Sequence, residues 1–178
     1  PDIFGKLIYN NTFNLYRKEE RPCLILIFKS GNDFIVVINV HMPWDTNHKK
    51  AFNKIRNELE SKQISKFINE NTKIIMMGDF NDSNTTIHKN SPLTIKFRNK
   101  SLKLSHKKNK SQARNTLKSC CWHKPKHKYK YFSDTGDYIL VNENIKQYSI
   151  KIPNIYKKAG RLNRLYSDHM PVISKIKL

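Results

Sequence analysis

Ten residues, Lys73-Ile-Ile-Met-Met-Gly-Asp-Phe-Asn-Asp82, constrain this chain more than any others. Four apolar residues, Ile74 to Met77, run straight into Gly78 and then into Asp79, Asn81 and Asp82. A short unbroken apolar run closed by glycine reads as a strand buried on both faces. Gly78 has no Cβ, so the backbone there can turn sharply or approach another group closely. A carboxylate and an amide two positions apart then point the same way just past a core strand. Open α/β sheets place their chemistry at that point. Asp and Asn are also the commonest turn residues, so this stretch alone fits an ordinary strand end as well. The flanking sequence carries the decision.

Upstream, Phe4 to Tyr9 alternates as far as a turn-like Asn10-Asn11, and Thr12 to Tyr16 resumes. Glu19-Glu20-Arg21-Pro22 breaks that pair. Cys23 to Phe28 is a second apolar run, Ser30-Gly31-Asn32-Asp33 is turn chemistry, and Phe34 to Val40 is β-branched almost throughout. Together they predict a hairpin whose second arm is a central strand. That arm ends at Asn39-Val40-His41, with Asn39 and His41 on one face. Asp45-Thr46-Asn47 then offers N-cap candidates. Phe52, Ile55, Leu59, Ile64, Phe67 and Ile68 mark one side of the helix that follows, which Asn69-Glu70-Asn71 ends. Strand, helix and the strand leading to Asp79 form a βαβ-type unit with polar residues at both strand ends.

The chain's 178 residues suit one domain. Lys and Arg number 34 against 14 Asp and Glu, a balance of +20. Such an excess calls for a polyanionic partner, although abundant Lys, Asn and Ile also fit an AT-rich coding bias. Clustering favours the partner: residues 83–133 contain no Asp or Glu at all. Within this basic, acid-free variable segment, Lys107, Lys108, Lys110, Arg114 and Lys118 are the candidates for tracking phosphates, and 107–118 reads as a mobile loop. Leu93–Phe97 and Leu102–Leu104 fit short strands or a helical turn equally. Cys120-Cys121-Trp122 reads as a small strand, because adjacent cysteines chelate one tetrahedral zinc poorly even with His123 and His127 nearby. Trp44 suits the core or a stacking contact with a base or sugar.

Three cysteines, two of them adjacent, make no disulfide framework and point to a reducing, intracellular setting, cytoplasmic or nuclear. No apolar run reaches membrane-spanning length, and no secretion signal opens the chain. Oligomeric state leaves no mark in the sequence. Further strands are expected at Tyr129–Phe132, Asp137–Val141, Ile145–Ile152 and Val172–Leu178, with a basic loop over Tyr156–Arg164.

Asn39-Val-His41, Gly78-Asp-Phe-Asn81, Asp137-Tyr-Ile and Ser167-Asp-His169 occur in that order, each at a predicted strand end. This series resembles the endonuclease/exonuclease/phosphatase superfamily, the DNase I-like fold, over nearly the whole chain. The resemblance implies an α/β fold of two packed mixed sheets flanked by helices, a four-layer sandwich with the site along one edge. It also implies a single domain over residues 1–178 that lacks its N-terminal portion, since a strand ending in Asn and a helix-borne metal-binding Glu would precede Pro1. Glu19 and Glu20 sit in a turn-like stretch and do not match that Glu.

The roles implied are those of phosphoester hydrolysis. Asp79 would orient and deprotonate the attacking water, and Asn81 would hold a phosphate oxygen as a neutral donor. Asp168 would ligate Mg²⁺, with Mn²⁺ as a substitute. His169 would contact the phosphate, Asp137 would fix its tautomer, and His41 would make a further phosphate or leaving-group contact, with Asn39 and Trp44 beside it on the substrate side. The activity implied is a Mg²⁺-dependent phosphodiesterase, a nuclease acting on DNA or RNA. Same-fold alternatives are a phosphomonoesterase or a sphingomyelinase-like hydrolase. A non-catalytic nucleic-acid- or protein-binding module is the alternative from another class.

Overall fold

Alternation along the strands sorts the apolar residues onto two faces, and each face finds its own cover. The computed structural model describes residues 4–43, 48–81, 94–97, 100–103, 120–123, 131–134, 136–151, 169 and 172–178. β1 (Lys6–Asn14), β2 (Pro22–Ser30), β3 (Asp33–His41), β4 (Lys73–Asp79) and β9 (Asp137–Val141) form a five-stranded sheet in the order β1-β2-β3-β4-β9. Only the β3–β4 pair is parallel, and the connection between them carries α1 (His48–Leu59) and α2 (Lys62–Ser65). β3 is therefore the central strand its β-branched composition predicts, and the βαβ-type unit is present.

One face of this sheet packs on the helices. Cys23, Ile25 and Ile27 of β2, Val36, Ile38 and Val40 of β3, and Ile74 and Met76 of β4 meet Phe52, Ile55, Leu59 and Ile64. Removing each such aliphatic side chain from water contributes roughly 2 kcal/mol. The other face carries Ile35, Ile75, Val141 and Ile145, joined by Ile176 and Leu178. Ile176 belongs to β11 (Ile173–Lys177), which pairs antiparallel with β10 (Lys146–Lys151). The second sheet is thus, among the described residues, an antiparallel pair laid on the mixed sheet. Two packed sheets, with the described helices on the outer face of the mixed one, fit the expected sandwich. Among the described residues no helix is long and apolar enough to cross a membrane.

The remaining strands are local pairs. β5 (Thr94–Phe97) and β6 (Lys100–Lys103) form one antiparallel hairpin, resolving the two short pieces as strands. β7 (Cys120–His123) pairs with β8 (Tyr131–Asp134), so the Cys-Cys-Trp segment is a strand.

Two expectations change. No turn interrupts β1 at Asn10-Asn11; these residues lie opposite Leu26 and Ile25 in a continuous ladder, and an irregularity between Leu7 and Tyr9 shifts the alternation instead. The Asn11 amide donates to Glu58 Oε1 at 2.8 Å, which ties that part of the strand to α1. The single helix to Ile68 is also broken. Leu59 to Ile64 is a step of five residues, which does not stay on one face of a helix. The chain resets there, Ser61 being extended at φ −60°, ψ 153°.

Gly78 has the tightest surroundings of the glycines in the sheet. Its φ is 131°, and a Cβ there would lie 2.0 Å from the Val40 carbonyl oxygen on the neighbouring parallel strand. Gly78→Ala should lower stability by about 2–5 kcal/mol, combining backbone strain and overpacking. Gly31→Ala, at φ 61° with open space around it, should cost only about 1 kcal/mol of strain. Urea unfolding midpoints of the two variants check this; equal midpoints would show that the close approach at Gly78 is not limiting.

Candidate active site

Strand register brings the polar ends together. In the parallel pair His41 lies opposite Asp79, and in the antiparallel pair Asp79 lies opposite Asp137. The three form one row across β3, β4 and β9. The row before it is Asn39, Met77 and Ile139, and the one before that Val37, Ile75 and Val141. Apolar rows pack under β11, and the last row runs past that cover as polar groups on the same face. His169, four residues before β11 begins, completes the cluster.

Phe80 anchors the end of β4. It is fully buried, its ring lies edge-on to Tyr138 at 5.6 Å between centroids and 6.3 Å from Phe52, and its N–H donates to the Gly136 carbonyl at 2.7 Å. With Phe80 plugged into the core, Asp79 and Asn81 stay on the site side. Asn81 takes φ 48°, a left-handed conformation that asparagine tolerates better than most residues. Its N–H donates to Asp79 Oδ1 at 2.8 Å, and its amide Nδ2 donates to the Met42 carbonyl at 2.7 Å. Asn81 therefore clamps the ends of β3 and β4 together, with one amide hydrogen committed to Met42.

This leaves Asp79 Oδ2 directed at two imidazoles, 3.7 Å from His41 Nε2 and 3.8 Å from His169 Nε2. The far nitrogen of His169, Nδ1, lies 2.9 and 3.1 Å from the two Asp137 oxygens. A carboxylate there holds the proton on Nδ1 and leaves Nε2 facing the site. His41 is held differently. The Arg21 guanidinium hydrogen-bonds its Nε2, and arginine can only donate. Nε2 of His41 is therefore an acceptor.

The electrostatics follow. Burial raises the proton affinity of Asp79 above the usual carboxylate range; the Asn81 N–H opposes this and the neighbouring Asp137 adds to it. Burial, then Arg21, lowers that of His41, against a smaller pull from Asp79. His41 is thus neutral at neutral pH, and its 3.7 Å approach to Asp79 is not an ion pair. Asp79, Asp137 and His169 each place one ligand atom within 4.8 Å of the others, close enough to hold a metal ion between them.

Of the residues singled out in the sequence, the structure brings together His41, Asp79, Asn81, Asp137 and His169, with Asn39 exposed one row back. Asp168, Trp44, Lys107, Lys108, Lys110, Arg114 and Lys118 lie outside the described residues. Arg21 went unrecognised. Its signal lay in the hairpin: counting back from Ser30 opposite Asp33 reaches Cys23 opposite Val40, and two residues further stands Arg21, beside His41.

No family model and no curated protein matches the sequence. Solved structures do. An endonuclease/exonuclease/phosphatase from Bacteroides vulgatus matches with a TM-score of 0.58 at 16% identity, over 97% of this chain and 66% of that one. ANGEL2, described as a 2′,3′-cyclic phosphatase and solved with adenosine-2′,3′-vanadate, matches at 0.57 and 15%, over 96% and 67%. TDP2 from D. rerio, solved with a single-strand DNA product, matches at 0.52 and 12%, over 97% and 68%. The likeness is one of fold, and this chain spans about two thirds of the length of each.

A buried carboxylate with raised proton affinity weakens the fold whenever it is ionised. Between the ordinary value of 3.8 and its raised native value, the folded chain holds the Asp79 proton more firmly than the unfolded chain. Its contribution is therefore lost as pH rises through that native value. Asp79→Asn keeps an oxygen for the Asn81 N–H and removes the charge. The variant should melt above wild type at pH 7, with the gap closing as pH falls toward 3.8. Thermal melts across that range test it; a variant less stable at pH 7 would contradict it.

Proposed function

We propose that this chain, which has the DNase I-like fold of the endonuclease/exonuclease/phosphatase superfamily, bears the catalytic site of a Mg²⁺-dependent phosphodiesterase acting on nucleic acid. The observation that carries this reading is the arrangement of Asp79. One of its oxygens is fixed by the Asn81 N–H, and the other is directed between His41 and His169.

Each residue has a chemical task in such a reaction. Asp79, with raised proton affinity, accepts a proton from the attacking water and orients it through Oδ2. His169, backed by Asp137, presents Nε2 to a phosphoryl oxygen and stabilises developing negative charge when it carries a proton there. Arg21 adds a fixed positive charge at the same edge, where preorganised charge lowers a barrier most effectively. His41 lies between Arg21 and Asp79 and is neutral. Asn81 sets the height of Asp79 above the sheet and reaches substrate only through its second amide hydrogen.

The donor set suits a hard divalent cation, which binds through one or two carboxylates and keeps several waters. In this reading Asp168 would hold it, which leaves Asp79 to act on water and Asp137 to back His169. A Mg²⁺ held there would supply charge neutralisation on the phosphoryl oxygens. The nucleic-acid substrate is inferred from the basic, acid-free segment 83–133, and from the similarity to a fold relative solved with DNA product.

In a complete domain, Asp79→Asn should reduce kcat on a single-stranded oligonucleotide by about 10²–10⁴-fold, the usual loss with a general base. Chelation of divalent metal should abolish turnover. Rates within twofold of wild type, in a variant shown folded by circular dichroism, would remove Asp79 from the role. The substrate class has its own test. Replacing Lys107, Lys108, Lys110, Arg114 and Lys118 by Ser should flatten the log–log salt dependence of oligonucleotide binding by several units, at about 0.7–0.9 per phosphate contact. Hydrolysis of a minimal phosphodiester ester should barely change. An unchanged slope would assign the charge to composition alone.

A further inference from the structure

The loop between β1 and β2 is built with more care than a connection requires. Asn14 Oδ1 accepts the N–H of Arg21 at 2.8 Å and of Tyr16 at 3.2 Å, while its Nδ2 donates to the Glu19 carbonyl at 3.1 Å. Leu15 N–H closes the loop on the Arg21 carbonyl at 2.7 Å. One asparagine thus fixes both ends of the segment from 15 to 21. Within it, Glu19 Oε2 accepts Arg21 Nη2 at 2.7 Å and Nε at 3.0 Å. The remaining terminal nitrogen, Nη1, is the one on His41 Nε2. The Arg21 side chain is 14% exposed, whereas Glu19 is 53% exposed.

We propose that Glu19 is a positioning residue: by holding one edge of the Arg21 guanidinium it aims the other at His41, and so selects the His41 tautomer protonated on Nδ1. An arginine has a flexible stem and five donors, and solvent satisfies them in many orientations. A carboxylate on Nε and Nη2 removes that freedom and leaves Nη1 pointing along β3. The surface pair has little value as a stabiliser; its effect is to fix geometry. Without it, Arg21 leaves Nε2, and the proton of neutral His41 is free to move there, toward Asp79 Oδ2. A donated hydrogen bond would then occupy the oxygen that the hydrolytic reading needs for water. Only this kinetic consequence rests on that reading; the tautomer assignment does not.

The test reads the tautomer directly. In ¹⁵N-histidine-labelled protein, about two pH units above the ordinary imidazole value, the His41 nitrogen shifts distinguish a bare Nε2 from a protonated one. Wild type should show Nε2 bare. Glu19→Ala should move the signal toward the Nε2-protonated form, and Glu19→Gln, which keeps an acceptor for Arg21, should restore most of the wild-type pattern. Arg21→Lys should resemble Glu19→Ala, and His169 should be unchanged throughout. Identical His41 shifts in wild type and Glu19→Ala would overturn the proposal. A kinetic arm runs alongside: Glu19→Ala should lower kcat about tenfold with KM held, the size of one charge-assisted contact. If wild type hydrolyses no phosphodiester while the tautomer still responds to Glu19, the hydrolytic reading fails and the positioning role stands.

Discussion

The close approach of Gly78 to the Val40 carbonyl is the constraint on which the rest of the site depends. Parallel strands need even spacing to the last pair, and a side chain at position 78 would meet that carbonyl at 2.0 Å. With no Cβ in the way, β3 and β4 stay paired through His41 opposite Asp79. The chain then turns at once into Phe80, which enters the core, and Asn81, which clasps Met42. A glycine, an aromatic plug and an asparagine thereby hold a carboxylate at a fixed height on the sheet edge.

Around that carboxylate the protein places two histidines in unlike settings. His169 has an acid behind it, and His41 has an arginine at its ring nitrogen. The same Nδ1-protonated tautomer is therefore set by opposite means on either side of Asp79, an acceptor at Nδ1 of His169 and a donor at Nε2 of His41. Two identical imidazolium neighbours would hold Asp79 ionised and depress its basicity. A neutral His41 avoids this, and burial together with Asp137 keeps the proton affinity of Asp79 raised. The cost is a strained electrostatic cluster, supported by the apolar faces on both sides of the sheet.

Much of this was legible in the sequence because it is local. An apolar run ending in Gly78, the β-branched arm to Val40, and the helix pattern between them define strand, crossover and strand by periodicity alone. Parallel neighbours joined by a helix end at the same edge, so polar residues at both strand ends had to meet. The turn read into Asn10-Asn11 and the continuous helix to Ile68 were local readings too. Both yielded to partners elsewhere in the chain: β2 supplies Asn10 and Asn11 with a ladder, and the face that Leu59 and Ile64 must share breaks the helix at Ser61.

The sequence by itself determined the main strands and the helical crossover, their order and the identity of the polar residues at the strand ends, because side-chain periodicity and backbone-specific residues such as Gly78 act within a few positions. Only the tertiary structure decided what those residues do to each other. That Arg21 reaches His41, that Asn81 spans to Met42, and that Asp79 faces two imidazoles at 3.7 and 3.8 Å depends on strand register. Register is set by the summed packing of both sheet faces, and no short stretch of sequence contains that sum.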